Sequence, residues 1–424
     1  MKKVIFTLVV TICVVFMCNV KAGFTQGTEA RLDYLETRIS ELTTIQGDYT
    51  GMLEDHGSVI QSLQSLMDRV SVGVGFRTKF TTTENAAGTK AVNSGSRSWD
   101  KDFNVDSMRI YLGAKITDNI TLEINTDVHE RDVFDDSITL LDAFVEYTFN
   151  DYFHIRVGRH LPASDRYNLD GPYYQNSFNF PLIAQRWPNI AIGRVDGASF
   201  WGQYAGGKFK WQGTVSEGRE ISEAANDDAD HLQFSGRLTY NFWEPESGYY
   251  NSSTYYGKKD VLAIGLVGWH QSDGTGTAES GKDFNGWNVD FLLEKNFGWG
   301  TIDIEAAYFD YNTNGGRDSE QARFDAAGSG PNTSDGTAWT AGFSYLYPEK
   351  IGWGQPQFVS RYQSFNPTGN QTAEMRVEAK LELGLHYIIE GHNAKLALVY
   401  SHENLGGADN DDRDAVLLGM QFQH

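Results

Sequence analysis

Charged and aromatic side chains are concentrated in residues 162–189, between two segments whose polarity alternates. An arginine guanidinium binds carboxylates and phosphates through paired hydrogen bonds, so arginines in such a stretch favour contact with anions. The candidate site residues in and around this stretch are Arg109, Arg156, Asp165, Arg166, Asp170, Arg186, Arg194 and Arg361. Those predicted to contact anions are Arg156, Arg166, Arg186 and Arg194. An ordinary surface loop, with these charges used in structural ion pairs, is the alternative interpretation.

Catalytic and metal-binding patterns are weak. His160, Ser164 and Asp165 lie close in sequence, but no nucleophile-elbow pattern surrounds the serine. His154 and His160 share one strand face about 20 Å apart at 3.3 Å per residue, too far for one metal ion. No glycine-rich phosphate loop follows a strand and opens a helix. We therefore predict no catalytic residue, no metal and no cofactor. Acidic loops such as 226–230 and 409–414 leave divalent-cation binding open beside simple solvation.

Composition narrows the class of protein. The chain has 424 residues, a formal net charge of −21, and 44 glycines against 9 prolines. Aromatic residues reach 13%, and charged residues are 21%. Abundant glycine and aromatic residues without long apolar runs are typical of alternating β-structure. Acidic residues outnumber basic ones 56 to 35, so the composition argues against nucleic-acid binding.

Residues 1–22 have the pattern of a secretory signal peptide. Lys2 and Lys3 precede an apolar run, and small or short residues precede a cleavage position before Gly23. A membrane anchor and lipidation at Cys18 are the alternatives. Both cysteines of the chain lie in this segment, so a mature chain has no disulfide and no thiolate site. Loss of the three signal-peptide lysines takes the net charge from −21 to −24.

A seven-residue apolar repeat follows over residues 32–70 and predicts a coiled coil within a segment covering 23–70. The seam residues predicted to drive oligomerisation are Leu32, Leu35, Ile39, Leu42, Leu53, Ile60 and Leu63. Glycines such as Gly47, Gly51 and Gly57 each cost about 1 kcal/mol of helix propensity and should weaken the middle. An amphipathic helix packed on its own protein is the alternative.

From residue 71 onward the period changes to two. Sixteen segments each present one apolar and one polar face, as where Met108, Ile110 and Leu112 alternate with Arg109 and Tyr111. The connections between them are alternately short and long, except that 243–260 is long where a short turn is expected. Aromatic residues flank the short turns, as in membrane-interface girdles. We predict an all-β membrane protein, in which residues 71–424 form a 16-stranded antiparallel transmembrane β-barrel after an N-terminal periplasmic coiled-coil helix. A soluble β-sandwich or propeller is the alternative.

Three short motifs resemble those of trimeric outer-membrane porins of the phosphate-selective O/P type. They are Leu141-Asp142-Ala143-Phe144-Val145-Glu146-Tyr147, Ile155-Arg156-Val157-Gly158-Arg159, and Gly193-Arg194 with Gly197. The coiled coil before the barrel is also similar to that of dicarboxylate-uptake porins. The resemblance implies that the connection after the fifth strand, 162–189, folds inward and narrows the pore.

Together these patterns predict a passive diffusion channel for small hydrophilic or anionic solutes. Its expected place is the cell outer membrane, as a homotrimer in contact with lipid and lipopolysaccharide, with the N-terminal segment in the periplasm. Cell-wall contact through the coiled coil is a further possibility. A structural anchor that links the coiled coil to cell wall or partner proteins is the alternative function.

Overall fold

The computed structural model describes residues 28–55, 69–85, 98–130, 136–184, 193–218, 231–277, 280–314, 336–367, 376–406 and 412–424. The predicted signal peptide lies outside these residues, as do Ile60, Leu63 and Arg186 of the predicted site residues. The chain divides into two compact units, Met1–Asp68 and Arg69–His424. Among the described residues, no helix is both long and apolar enough to cross a membrane.

In the described part of the N-terminal unit, a helix, α1, covers Thr28–Asp55. It continues through Gly47 and Gly51, so the propensity cost of these glycines does not end it. Two predicted seam residues, Ile39 and Leu42, are exposed on its surface, and Leu35 is half-buried. Leu32 and Leu53 also lie within α1. The helix within the proposed coiled coil is thus present, and its assembly into a coiled coil stays a prediction.

The second unit is a closed barrel of sixteen antiparallel strands, in which each strand pairs with its neighbours in sequence and β1 pairs with β16. The strands are β1 Val70–Asn85, β2 Ser98–Lys115, β3 Ile120–Glu130, β4 Asp136–Asn150, β5 Phe153–His160, β6 Val195–Tyr204, β7 Phe209–Ser216, β8 Gln233–Asn241, β9 Val261–Thr277, β10 Ser280–Asn296, β11 Thr301–Asn312, β12 Gly336–Leu346, β13 Gln355–Pro367, β14 Arg376–Glu390, β15 Ala394–Gly406 and β16 Arg413–Gln423. The predicted barrel of sixteen antiparallel strands is confirmed. Closure leaves no unpaired sheet edge.

Alternating polarity explains why these segments form a barrel wall. On β14, Leu383 and Leu385 are exposed on the outer face, while Glu382 and His386 point inward and are buried. The outer face is apolar on most strands, so it is stable against lipid and costly to expose to water. His424 continues the pairing of β16 with β1, since its backbone and that of Val74 exchange two hydrogen bonds of 2.9 Å.

The two ends of the barrel differ in their connections. Short turns join β2 to β3, β4 to β5, β6 to β7 and β10 to β11 at one end, called here the short-turn end. Exposed aromatic side chains surround it, among them the stacked pair Phe297 and Trp299 with ring centroids 5.3 Å apart. Such rings favour the boundary between lipid and water, where one edge is apolar and the other is hydrated.

Candidate functional site

The connection between β5 and β6 lies inside the barrel rather than outside it. Residues 161–184 of this connection are called the constriction segment. Asn176 Nδ2 donates to Asp303 Oδ1 on β11 at 2.8 Å, and Asn179 Nδ2 donates to Glu382 Oε1 on β14 at 2.7 Å. Lys395 Nζ on β15 donates to the Gln175 carbonyl at 2.9 Å. The segment therefore crosses the lumen from β5 to the opposite wall and is bonded there to three strands.

A short helix, α2, forms part of this segment over Arg166–Asp170. Asp165 caps it by accepting from the Asn168 backbone N–H at 3.0 Å, which satisfies one of the free amides of the first turn. Burial raises the pKa of Asp165 to about 7, although the hydrogen bond from Asn168 partly opposes the rise. Burial also raises the pKa of Asp170, while the Arg166 charge acts against it.

The unexpectedly long connection between β8 and β9, residues 242–260, also enters the lumen, from the short-turn end. It is called here the inserted turn. Lys210 Nζ on β7 donates to Asn251 Oδ1 at 2.7 Å, and Gln212 Nε2 donates to the Tyr249 carbonyl at 2.8 Å. On the other side, Glu294 of β10 accepts from the backbone N–H groups of Tyr255 and Gly257 at 2.7 and 2.6 Å. The inserted turn is thus bonded to the barrel wall on both sides.

The constriction segment and the inserted turn contact each other through buried polar groups. Arg166 donates to both carboxylate oxygens of Glu246, at 2.8 and 2.6 Å, and each side chain is only 1% exposed. Ser253 Oγ donates to Asp170 Oδ2 at 2.6 Å, and the Ser253 N–H donates to the Tyr174 carbonyl at 3.2 Å. Burial opposes ionisation of Glu246, but Arg166 outweighs it and holds the pKa of Glu246 at about 2.

The five described arginines among the predicted site residues each contact a carboxylate. Arg109 pairs with Asp127 at 2.9 Å, Arg156 with Glu146 at 2.7 Å, Arg194 with Asp142 at 3.2 Å, Arg361 with Glu382 at 2.8 Å, and Arg166 with Glu246 as above. Arg156 also donates to the Tyr250 hydroxyl at 2.8 Å and lies 4.1 Å from the Tyr249 and Phe144 ring centroids. All five are therefore held in fixed orientations, and their charges are partly neutralised.

Sequence reasoning missed two contributors to the lumen. Arg77 on β1 donates to the Phe178 carbonyl at 2.6 Å and so holds the constriction segment. Its inward position follows from the alternation of Val74 and Phe76 with Gly75 and Arg77, a signal that was present in the sequence. Glu246 was also missed, and no periodic pattern in residues 242–260 marks it.

Apolar packing closes the lumen on one side. Ile183 and Ala184 of the constriction segment pack against Trp269, Phe309 and other side chains of β9 to β13. On the side of β2, β3 and β4, a cavity of about 610 Å³ remains between the wall, the constriction segment and the inserted turn. Of the predicted site residues, Arg109, Asp170 and Arg194 line this cavity. Arg156, Asp165, Arg166 and Arg361 lie outside its lining and hold the surrounding structure.

No protein-family model matches this chain, and no curated protein matches its sequence. Solved structures do match. OprB of Pseudomonas putida aligns with a TM-score of 0.57 and 10% identity, over 85% of this chain and 96% of that chain. The outer membrane channel DcaP of Acinetobacter baumannii aligns at 0.51 and 11% identity, over 83% and 97%. An anion-selective porin from Comamonas acidovorans aligns at 0.51 and 12% identity, over 84% and 100%. The chain is similar to these proteins in its fold, that of a sixteen-stranded porin barrel.

Proposed function

We propose that this protein is an outer-membrane porin, a passive diffusion channel for small hydrophilic or anionic solutes. The observation that carries the proposal is the partly open lumen. A closed barrel with an apolar exterior encloses a polar interior, and the constriction segment narrows that interior while leaving a cavity of about 610 Å³. Channels of this kind select solutes by the size and the charge of the narrowest part.

The finer assignments belong to the same proposal. The short-turn end faces the periplasm, together with the coiled coil of residues 23–70, and lipid and lipopolysaccharide surround the wall. The exposed Ile39 and Leu42 on α1 support assembly into a homotrimer through the heptad seam. The motif around Asp142 and Glu146 supports relationship to porins of the O/P type. Arg109 and Arg194 line the cavity and supply its guanidinium groups, whereas Arg156 and Arg166 act from behind it.

The exposed seam of α1 also favours a second function, a structural anchor that joins the outer membrane to cell wall or partner proteins. Planar-bilayer recording of the purified protein separates the two. A porin gives stepwise current increases as single barrels insert. Protection of the barrel from protease in the same lipid shows that the protein has inserted. Inserted protein that gives no current steps would support the anchor and refute the channel.

A further inference from the structure

Tyrosines line the cavity in unusual number. Tyr111 comes from β2, Tyr173 and Tyr174 come from the constriction segment, and Tyr250, Tyr255 and Tyr256 come from the inserted turn. Three separate elements therefore deliver the same side chain to one space. Five of the six tyrosines come from the two lumen segments, so the tyrosine lining depends on both segments being in place.

Several of these rings are held in place by their own hydroxyl groups. Tyr250 accepts from Arg156 at 2.8 Å, Tyr255 donates to Glu246 at 2.7 Å, and Tyr173 donates to Ser107 Oγ at 3.2 Å. Tyr174 is 44% exposed. Its ring and that of Tyr256 lie 4.9 and 4.8 Å from the His392 ring. The lining thus offers fixed aromatic surfaces at little further cost in side-chain entropy on binding.

The charged groups around the cavity are of both signs. Among the described residues that line it, Arg109, Arg194 and Lys258 face the carboxyl groups of Glu123, Asp142 and Asp170, and burial raises the pKa of Asp170. Arg194 is paired with Asp142 within the lining, and Arg109 is paired with Asp127 behind it. Burial, with the nearby Lys395 charge, lowers the pKa of His392 to about 3, so this ring adds no charge at neutral pH. Two of the three cations in the described lining are therefore partly neutralised by a carboxylate partner.

We propose that this cavity binds a neutral, polyhydroxylated ring compound, that is, a small saccharide, during passage. The proposal rests on the proposed channel function and names its substrate class. Tyrosine rings stack on the C–H faces of a sugar ring, while the amides of Asn125 and Asn251, which also line the cavity, can exchange hydrogen bonds with its hydroxyl groups. The volume lies within the range of about 300–1,000 Å³ found for small-molecule sites.

The test is block of single-channel ion current by added solutes, with maltose and maltotriose as saccharide probes and inorganic phosphate and succinate as anionic probes. We expect saturable block by the saccharides and no saturable block by the anions. Tyr174→Ala should weaken the saccharide block about tenfold, whereas Tyr174→Phe, which keeps the ring, should leave it within about twofold. Tyr400→Ala, on the exposed outer face of β15, serves as the matched control and should change nothing.

Saturable block by phosphate or succinate without block by saccharides would overturn this inference, as would equal saccharide block in wild-type and Tyr174→Ala channels. Either result leaves the channel itself intact. Absence of any current step would instead refute the proposed function, so the two failures are distinguishable. Tyr174 is 44% exposed. The mobility of the folded barrel in unheated gel samples checks that each variant folds.

Discussion

The buried pair between Arg166 and Glu246 allows a quantitative prediction, since it joins the constriction segment to the inserted turn. Glu246→Gln keeps the size of the side chain and removes its charge. Arg166 then keeps the Ser252 carbonyl at 2.9 Å and Asp290 at 3.9 Å, but it loses its paired carboxylate. Removing one partner of a buried ion pair destabilises the structure by about 3–5 kcal/mol of free energy. We expect the lower limit, about 3 kcal/mol, because Asp290 remains near the Arg166 charge.

This loss should appear as easier opening of the inserted turn, measured by backbone hydrogen exchange with mass spectrometry. The reporter is the peptide that contains the Ser253 N–H, which donates to the Tyr174 carbonyl. At about 1.4 kcal/mol for each factor of ten, 3 kcal/mol corresponds to exchange about a hundredfold faster. Peptides from β3, which the described hydrogen bonds of Arg166 and Glu246 do not reach, should exchange as in the wild type.

Two further variants make the result specific. Glu349→Gln, in an exposed turn at the short-turn end, makes the same chemical change and should leave exchange unaltered. The double variant Arg166→Gln with Glu246→Gln removes both charges and should recover part of the loss, because no uncompensated charge remains buried. Unchanged exchange of the Ser253 peptide in Glu246→Gln would refute the idea that this pair holds the two segments together.

Four other predictions concern the inserted turn, the pH dependence of Glu246, the coiled coil and the cavity lining. Replacing residues 246–256 by a short glycine-rich turn should raise single-channel conductance; equal conductance would mean that the inserted turn does not narrow the path. The pKa of Glu246 lies below its usual value of 4.5, so its contribution to stability is present above about pH 4.5 and is lost as the pH falls towards 2. Exchange of the Ser253 peptide should therefore accelerate over that interval, and Glu246→Gln should remove this dependence. Deleting residues 23–70 should weaken trimers in detergent, measured by light scattering, and undiminished trimers would count against the coiled coil. Arg194→Ala removes the positive charge beside Asp142 in the cavity lining and should shift the reversal potential in a salt gradient towards cation preference. Arg361→Ala, outside the lining, should shift it less.

The barrel was predictable because its signal is local. Each strand repeats polar and apolar residues with period two, as Glu382, Leu383 and Leu385 show. A shift of one residue in strand register would point the whole apolar face towards water. That the 162–189 connection folds inward was instead implied by the resemblance to porins. Local patterns thus determined the wall, the number of strands and which connections are long.

The interior was predictable only in its residue types. Arg166 and Glu246 are 80 residues apart, and Arg194 and Asp142 are 52 residues apart, so their pairing depends on how the closed barrel brings distant strands together. The arginines were recognised as candidate site residues, but their carboxylate partners were not assigned. The inserted turn has no periodicity, and its path follows from contacts with Lys210 and Glu294 that no local pattern encodes.

The central claim is that the cavity beside β2, β3 and β4 lies on the path of the solute. The chain has two cysteines, Cys13 and Cys18, both within the predicted signal peptide, so an introduced thiol is a clean reporter. Glu123→Cys places it in the cavity lining, and Val157→Cys places it on the outer wall, where Val157 is 54% exposed. We predict that a charged thiol reagent reduces single-channel current through Glu123→Cys and leaves Val157→Cys unchanged. Unaltered current after complete modification of Glu123→Cys would contradict the account.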